Sequence, residues 1–340
     1  MSDIHVRKEG RAGRITLTRP KALNAVTYDM CLAIEVALDA WRDDDDVTLV
    51  ILDAEGDKAF SAGGDIADLY ATGKAGDFGF GQTFWRDEYR MNAKIHEYAK
   101  PIVSFLQGFT MGGGMGVGCH GSHRIVGESS QIAMPEVGIG LVPDVGGSMI
   151  LANAPGHLGA YAGTTGARMN AGDAIEIGFA DMFISQANWP EMIAKLVETG
   201  NIKILRAEPA PNGVIHADKA EIDQLFDVTT LPDLLSNLRR SDSEFSQKTL
   251  KTILRNSPLS VGFTLEMLAR LKGVTDIRTA LDLEYRFTFR AMEHGDFIEG
   301  IRAAIIDKDR SPNWKHDADS LPQQAIDTML APLGDNALTF

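Results

Sequence analysis

Two carboxylates eight residues apart, Glu136 and Asp144, follow a glycine run that begins at Gly112. A carboxylate can move a proton or activate a water, and backbone N–H groups bared by glycine can hold a developing oxyanion. A second bare-backbone segment, S-A-G-G-D, lies upstream at 61–65. Since two N–H donors from two segments can form an oxyanion hole, the pattern predicts a site that polarises a carbonyl group beside a carboxylate.

Two predicted strands each run directly into one of these glycine segments. Continuous apolar runs at 47–52 and 101–106 are typical of strands that are buried on both faces. Ligands of α/β folds bind at the carboxyl ends of such strands. We therefore expect both glycine segments to lie where a ligand binds.

The glycine run also has other interpretations. The stretch 116–121 matches G-x-G-x-x-G and Glu136 lies 20 residues after Gly116, but the preceding strand ends too early for a dinucleotide fingerprint. No G-K-[ST] follows, which excludes a P-loop. A glycine-rich helix packed tightly on a neighbour stays open. The other interpretation is an anion site at a helix N-terminus, where Gly113 offers its N–H group.

The local cysteine and histidines do not predict a metal site. Cys119 lies close to His120 and His123, but zinc sites usually need four ligands with paired spacing, and no second pair exists. We expect no metal, and we interpret the histidines as residues of the core edge or surface.

Each carboxylate also has a simpler explanation. A proline precedes both Glu136 and Asp144 and stiffens the chain there, yet acids in exposed loops are common. Their coincidence with two glycine segments favours function. Glu88 lies in a predicted helix at about 80–98, and its spacing alone predicts a surface acid.

Composition limits the class of partner. The chain has 340 residues, a net charge of -14 and a pI near 5.0. This acidity argues against nucleic acid, because phosphate binding needs a basic surface. Two cysteines imply no disulfide framework, no apolar run reaches the roughly 20 residues of a membrane span, and the N-terminus lacks a signal-peptide core. We expect a cytoplasmic protein that binds no membrane.

Periodicity predicts an α/β first half and a mainly helical second half. Alternation at 14–18 predicts a half-buried strand, and Thr27 can cap a helix with an apolar stripe at Met30, Ile34, Leu38 and Trp41. Prolines and glycines make 203–232 a loop-rich joint. The sequence therefore predicts two regions, a core at 1–202 and a helical region at 203–340.

Together the motifs resemble the crotonase superfamily of acyl-CoA enzymes. The similar segments are S-A-G-G-D, T-M-G-G-G-M-G, M-P-E and P-D-V-G-G, and the likeness runs from R-P-K-A-L-N-A at 19–25 to D-K-D-R-S-P-N-W at 307–314. The segments A-M-P-E-V-G-I-G-L-V-P-D-V-G-G, E-Y-R-F-T-F-R-A-M and E-G-I-R-A-A-I-I-D-K-D are similar to those of its 3-hydroxyisobutyryl-CoA hydrolase branch.

The resemblance implies a spiral of ββα repeats with a helical C-terminal region. It implies that a thioester carbonyl lies between the N–H groups of Gly64 and Gly113, that Glu136 and Asp144 are catalytic, and that Glu88 contacts substrate beside them. The implied coenzyme A path is lined by Lys21, Ala22, Leu23, Ala62, Asp65 and Ile66. Coenzyme A is then part of the substrate, and no separate cofactor is expected.

One position departs from the hydratases of the superfamily. They use two glutamates, and Gly116 occupies the place of the first. The expected reaction is hydrolysis of a short β-hydroxyacyl-CoA thioester, by covalent attack or by general base catalysis. A hydratase or isomerase of the same fold and a non-catalytic acyl-CoA-binding protein stay open. Superfamily members often form trimers or hexamers, so a homo-oligomer is one arrangement, and a C-terminal half folded back on its own core is another.

Overall fold

Strands and helices alternate through the first 200 residues, and the rest of the chain is mostly helical. The structure is a computed structural model that describes residues 3–340, so the first two residues of the N-terminal segment lie outside the described residues. The strands are β1 (Ile4–Glu9), β2 (Ala12–Leu17), β3 (Leu49–Ala54), β4 (Ala59–Ser61), β5 (Ile102–Leu106), β6 (Phe109–Met111), β7 (His123–Val126), β8 (Gln131–Ala133) and β9 (Met182–Phe183).

The helices include both long and very short ones. They are α1 (Tyr28–Arg42), α2 (Ala67–Lys74), α3 (Gly79–His96), α4 (Gly113–Gly118), α5 (Gly147–Ala152), α6 (Leu158–Thr165), α7 (Ala171–Ile177), α8 (Trp189–Thr199), α9 (Lys219–Leu225), α10 (Leu231–Arg240), α11 (Glu244–Ile253), α12 (Pro258–Leu271), α13 (Ile277–Ala291), α14 (Phe297–Ile301) and α15 (Gln323–Leu330). Within the described residues, no helix has the length and apolar character that crossing a membrane requires.

The strands form two sheets that are built by a repeating connection. The larger sheet has the order β1-β2-β3-β5-β7-β9, and the smaller one has the order β4-β6-β8. Apart from the antiparallel β1–β2 pair, the pairings are parallel. Three times, a strand of the larger sheet is followed by a short strand of the smaller sheet and then by a helix. This confirms the expected ββα repeats.

The chain divides into two compact units that are interleaved along the sequence. Unit 1 contains the described residues up to Gly64, Asp87–Ala133 and Arg168–His216. Unit 2 contains Asp65–Arg86, Met134–Ala167 and Ala217–Phe340. The predicted regions 1–202 and 203–340 follow chain order, whereas each unit takes three separate segments. Composition along the chain does not show that segments of its first half belong to the same unit as the C-terminal region.

Unit 1 holds all the strands of the two sheets. One face of the larger sheet packs its apolar residues against Trp189 and Leu196 of α8, and the ring centroids of Phe105 and Trp189 lie 5.3 Å apart. Helix α1 begins where predicted, because the Thr27 hydroxyl accepts a hydrogen bond from the Met30 N–H group. Its predicted stripe is buried at Met30, Ile34, Leu38 and Trp41.

Unit 2 is helical in its long C-terminal segment, as expected. Helix α12 is buried on nearly every side, which is typical of a helix at the centre of a bundle. Phe263 of α12 packs edge-on against Phe287 of α13, with ring centroids 4.7 Å apart. The stretch 203–232, predicted as a loop-rich joint, also contains helix α9.

Candidate active site

The amides of Gly64 and Gly113 converge within unit 1. Strands β4 and β6 pair in parallel, Gly64 follows the first, and Gly113 begins α4 directly after the second. A Cβ placed on Gly113 would lie 3.1 Å from the amide nitrogen of Gly64. Both glycine segments therefore follow parallel strands, as predicted. The strands predicted at 47–52 and 101–106 do not run directly into them, however, because the short strands β4 and β6 of the smaller sheet lie in between.

The glycine run is also a tightly packed helix. A Cβ on Gly114 would lie 2.5 Å from the carbonyl oxygen of Ser61, and one on Gly118 would lie 2.6 Å from Leu106. Gly112 turns the chain into α4 with φ +47°, a conformation that glycine adopts without a steric penalty. The interpretation as a tightly packed helix is therefore confirmed, and the helix begins at Gly113, where the anion site is predicted.

Glu88 is buried beside these amides rather than exposed. Its side chain is 3% exposed on α3, and its Oε1 would lie 2.9 Å from a Cβ on Gly113. Spacing alone predicted a surface residue, and that prediction is wrong, because α3 packs this face inwards. The helix is held by the pairing of Arg90 with Glu35 of α1, at 2.9 Å between Nε and Oε1.

The turn at 20–25 brings Leu23 to Ala62, two of the residues that the resemblance assigned to coenzyme A. The Ala62 N–H group donates to the Leu23 carbonyl oxygen at 2.9 Å. Asn24 holds the turn, because its Nδ2 donates to the carbonyl oxygens of Glu55 and Ala59 and its Oδ1 accepts from the Arg19 N–H group. Leu23 and Asn24 both have positive φ, at 51° and 54°.

The remaining residues of the implied coenzyme A path lie on two elements. Lys21 and Ala22 are exposed on the 3-10 helix Pro20–Ala22 of unit 1. Asp65 and Ile66 are half-buried and open the first segment of unit 2, where Asp65 Oδ1 accepts from the Ala67 N–H group. The exposure of Lys21 leaves its ammonium group in solvent, where it can meet a phosphate.

Glu136 is a buried acid of unit 2. It is the first residue of the 3-10 helix Glu136–Ile139, and it is 5% exposed. Its Oε2 has no hydrogen-bond partner among residues 3–340. Burial and the neighbouring charge of Asp144 raise the pKa of Glu136 well above its ordinary value. Such a carboxyl holds its proton to a higher pH, and its ionised form is a stronger base than an exposed glutamate.

Asp144 is also buried, at 4% exposed, in the strained turn that leads into α5. Its carbonyl oxygen accepts from the Gly147 N–H group at 2.7 Å. Val145 has φ +52° and Gly146 has φ +81°. A β-branched residue with positive φ is a true outlier, and such conformations cost about 1–3 kcal/mol and concentrate at functional sites.

Helix α6 and its C-cap residue Gly166 pack against the two loops of unit 2 that hold Glu136 and Asp144. A Cβ on Gly163 would lie 3.5 Å from Pro143, and one on Gly166 would lie 3.0 Å from the Cα of Pro135. The glycines that break the pattern in this stretch therefore let the prolines before Glu136 and Asp144 pack against a single helix. This explains how two loops eight residues apart deliver carboxylates whose charges influence each other.

A third buried carboxyl group completes this cluster. Glu284 of α13 is fully buried, and it accepts hydrogen bonds from the Gly146 and Ser148 N–H groups at 2.9 and 3.3 Å and from the Ser148 hydroxyl. Burial, together with the charge of Asp144, raises the pKa of Glu284 to about 8, although the hydrogen bonds from Ser148 and Gly146 oppose the shift. Below that pH the carboxyl group holds a proton.

Asn24 and Glu284 received no role from the sequence, although both lie in segments that carry the family resemblance. Asn24 has a local signal, since asparagine tolerates positive φ and bonds the backbone of turns. Glu284 has none beyond its place in an apolar helix pattern, because its partners lie 136 and 138 residues away.

These features can be compared with known proteins. The sequence pattern described as enoyl-CoA hydratase/isomerase matches residues 12–330. The chain belongs to the enoyl-CoA hydratase/isomerase family. This is the crotonase superfamily that the motifs resembled, and the α/β spiral with a helical C-terminal region is its fold.

Curated proteins resemble the chain over nearly its full length. A protein from Gallus gallus is 34% identical and one from Xenopus tropicalis is 37% identical, over 99% and 97% of this chain and 91% and 89% of theirs. Both are named 3-hydroxyisobutyryl-CoA hydrolase, mitochondrial. The likeness to the hydrolase branch that the sequence predicted is therefore confirmed.

A solved structure of the same family has nearly the same backbone. It is described as an enoyl-CoA hydratase from Rhodobacter sphaeroides 2.4.1, is 56% identical, and superposes with a TM-score of 0.97 over 100% of both chains. The names of similar proteins thus include a hydrolase and a hydratase.

Proposed function

We propose that this protein hydrolyses a short β-hydroxyacyl-CoA thioester, with 3-hydroxyisobutyryl-CoA, an intermediate of valine breakdown, as the substrate. The reaction consumes one water, and the sulfur of coenzyme A leaves as a thiol. The supporting similarity is the full-length likeness to proteins named 3-hydroxyisobutyryl-CoA hydrolase. The supporting structural observation is the buried pair Glu136 and Asp144, whose charges act on each other.

The roles of the residues follow from their chemistry. The Gly64 and Gly113 N–H groups bind the thioester oxygen and stabilise the oxyanion, and removal of one such donor typically costs about 2.7–4 kcal/mol of barrier. Glu136 is the reacting carboxylate, and Asp144 orients the water or the substrate hydroxyl and passes a proton. Glu88, buried next to Gly113, contacts the acyl group.

Glu136 can act in either of two ways. As a nucleophile, it forms an anhydride with the acyl group and expels the thiolate, and water then opens the anhydride. As a general base, it takes a proton from water while that water attacks the carbonyl carbon. In one turnover in oxygen-18 water, general base catalysis puts the heavy oxygen into the acid product, whereas an anhydride that water opens at the Glu136 carbonyl carbon leaves the heavy oxygen in the Glu136 carboxylate.

Coenzyme A is held along the turn at 20–25 and the segment at 62–66. Lys21 presents a cation to solvent for a phosphate, and the Leu23–Ala62 backbone contact fixes a surface for adenine and pantetheine. Ala22, Asp65 and Ile66 line the same path. Coenzyme A is thus part of the substrate, and the chemistry requires no further cofactor.

Hydration or isomerisation of an enoyl-CoA is the second candidate, and the name of the 56% identical structure favours it. Gly116 argues against it, because a hydratase would lack one glutamate of its acid–base pair. A non-catalytic acyl-CoA-binding protein is a third possibility, and it would leave the buried pair Glu136 and Asp144 without a role.

Thiol release from 3-hydroxyisobutyryl-CoA is the experiment that tests the function, with crotonyl-CoA absorbance followed in parallel. Wild type is expected to release thiol, Glu136→Gln to bind substrate without turnover, and Glu198→Gln, an exposed control on α8, to match wild type. A change in crotonyl-CoA without thiol would establish the hydratase instead. Binding without either reaction would establish a non-catalytic protein.

The location and assembly of the protein also remain proposals. The curated relatives are named as mitochondrial proteins, whereas we propose that this chain acts in the cytoplasm, on the ground that its two cysteines fit a reducing compartment. Fractionation of the source cells tests the location, and light scattering of the purified protein tests a homo-oligomer.

A further inference from the structure

Glu284 is a buried acid that the proposed chemistry does not use. It lies on α13 within a bundle of apolar side chains, and none of its surface is exposed. Burial of an ionisable group is costly unless hydrogen bonds compensate. Its position therefore requires a reason, and its partners supply one.

All three hydrogen bonds to the Glu284 carboxyl group come from the turn after Asp144. Oε2 accepts from the Gly146 N–H group, and Oε1 accepts from the N–H group and the hydroxyl of Ser148. The carboxyl group thus bridges the two residues that flank the start of α5 at Gly147.

The backbone that Glu284 holds is strained and carries Asp144. Val145 and Gly146 are both in the left-handed region, at φ +52° and +81°. A strained turn persists only where its surroundings over-determine it. Because a buried N–H group without an acceptor is unfavourable, the acceptors on Glu284 fix this conformation.

We propose that Glu284 is a positioning residue, which holds the strained turn at 144–148 and so fixes the orientation of the Asp144 carboxylate during thioester hydrolysis. The inference rests on the proposed function, since it assigns a task to Asp144. It assigns no contact between Glu284 and the substrate. Glu284 acts on the reaction through the backbone that carries Asp144.

Substitution by a neutral residue of similar shape separates positioning from charge. The raised pKa of Glu284 means that the neutral carboxyl group is the form present at neutral pH. Glutamine is also neutral and keeps one acceptor oxygen for the Gly146 N–H group. Leucine fills the volume and offers no acceptor, so it leaves two N–H groups buried without partners.

The experiment measures thiol release and amide hydrogen exchange in four proteins: wild type, Glu284→Gln, Glu284→Leu and Leu281→Ala. Leu281 is fully buried one turn earlier on α13, so its truncation controls for loss of stability. For Glu284→Leu we expect kcat to fall about 100-fold with KM within about threefold, because groups that orient the reacting carboxylate act on the chemical step. Exchange at residues 146 and 148 should accelerate.

The comparison variants decide between positioning and simple destabilisation. Glu284→Gln should keep kcat within about tenfold of wild type, and Leu281→Ala should keep kcat although its Tm falls. Equal kcat in Glu284→Leu and wild type would overturn the inference. An equal loss of kcat in Leu281→Ala, at the same Tm as that of Glu284→Leu, would also overturn it.

Two further results keep the test decisive. If Glu284→Leu does not fold, Ser148→Ala removes one of the bonds, and an unchanged kcat in that variant would overturn the inference. If wild type releases no thiol, the proposed function fails. The exchange rates at 146 and 148 then still decide whether Glu284 fixes the turn, and unchanged rates in Glu284→Leu, or in Ser148→Ala where the leucine variant does not fold, would show that it does not.

Discussion

The amide of Gly64 and the α-carbon of Gly113 approach so closely that a Cβ on Gly113 would lie 3.1 Å from the Gly64 nitrogen. A Cβ on Gly64 itself would meet nothing within 4 Å. The two glycines thus differ in what surrounds them: Gly113 is enclosed by protein, and Gly64 borders open space. In the proposed reaction, that space receives the thioester oxygen.

Alanine at these two positions should therefore fail in different ways. Gly113→Ala forces its methyl group against Glu88 and Gly64, so we expect a lower Tm and a loss of kcat/KM of at least about 100-fold, equivalent to one oxyanion donor. Gly64→Ala should keep the Tm of wild type and still lose activity, because its methyl group occupies substrate space. Steady-state kinetics and thermal unfolding measure both.

A third glycine serves as the control for this pair. A Cβ on Gly79, at the start of α3, would make only an ordinary 3.5 Å contact with Asp77. Gly79→Ala should therefore match wild type in both measurements. Full activity in Gly64→Ala would remove that amide from the proposed site.

The pH dependence of thiol release should report the buried pair. Glu136 acts when deprotonated, whether as a nucleophile or as a base, so kcat/KM should fall as the pH drops through its raised pKa, above the ordinary 4.5. Asp144→Asn removes a repulsive charge and should move the acid limb to lower pH. The acid limb should still lie above pH 4.5, because Glu136 remains buried in this variant. A limb that moves to higher pH would contradict this assignment.

In the turn at 20–25, Lys21 is proposed to bind coenzyme A, whereas Asn24 stabilises the turn itself. Lys21→Ala removes an exposed cation, so we expect KM to rise several-fold with kcat and Tm unchanged, the pattern of lost uniform binding. Asn24→Ala removes the side chain that fastens the turn with three hydrogen bonds, to the backbone of Arg19, Glu55 and Ala59. Since it leaves buried backbone groups without partners, it should lower the stability by about 2–4 kcal/mol and also raise KM. Urea unfolding with kinetics separates the two variants, and an unchanged Tm in Asn24→Ala would be contrary evidence.

Much of the candidate site could be predicted because its residue types are locally unusual. Glycine runs and proline-acid pairs stand out in any sequence, and both glycine segments do end parallel strands. The strands that position them, Ala59–Ser61 and Phe109–Met111, are three residues each, which is too short for a periodic pattern.

Burial of single polar residues could not be predicted in the same way. Glu88 lies among charged residues on α3, and only its contact with a glycine 25 positions later shows that it faces inwards. Glu284 resembles any helical glutamate until its hydrogen bonds to residues 146 and 148 are seen. Tertiary contacts of long sequence separation decide both cases, and local periodicity carries no record of them.

The stability of the protein should depend on pH through Glu284. Its pKa rises from 4.5 to about 8 on folding, so between these values the folded protein holds a proton that the unfolded chain has released. The free energy of unfolding therefore decreases as the pH rises through this window, by on the order of 4–5 kcal/mol at most. Glu284→Gln removes this titration, and its stability should change less between about pH 5 and pH 8.

Urea unfolding at the two pH values measures this difference. Glu198→Gln, which replaces an exposed glutamate, should keep the wild-type dependence on pH. If the free energy of unfolding changed equally with pH in wild type and Glu284→Gln, the pKa of Glu284 would not be raised in the folded protein.

The interleaved segments of the two units have a consequence for synthesis on the ribosome. Unit 1 is complete once His216 has emerged, but the segments Asp65–Arg86 and Met134–Ala167 belong with residues up to Phe340. The second of these is made 173 residues (340 minus 167) before the chain ends, a delay of roughly 9–35 s at ordinary translation rates. Until residues 217–340 have been made, its apolar side chains lack the partners that this part of unit 2 supplies. The nascent chain should therefore depend on chaperones, and premature termination after residue 216 should yield a product that aggregates.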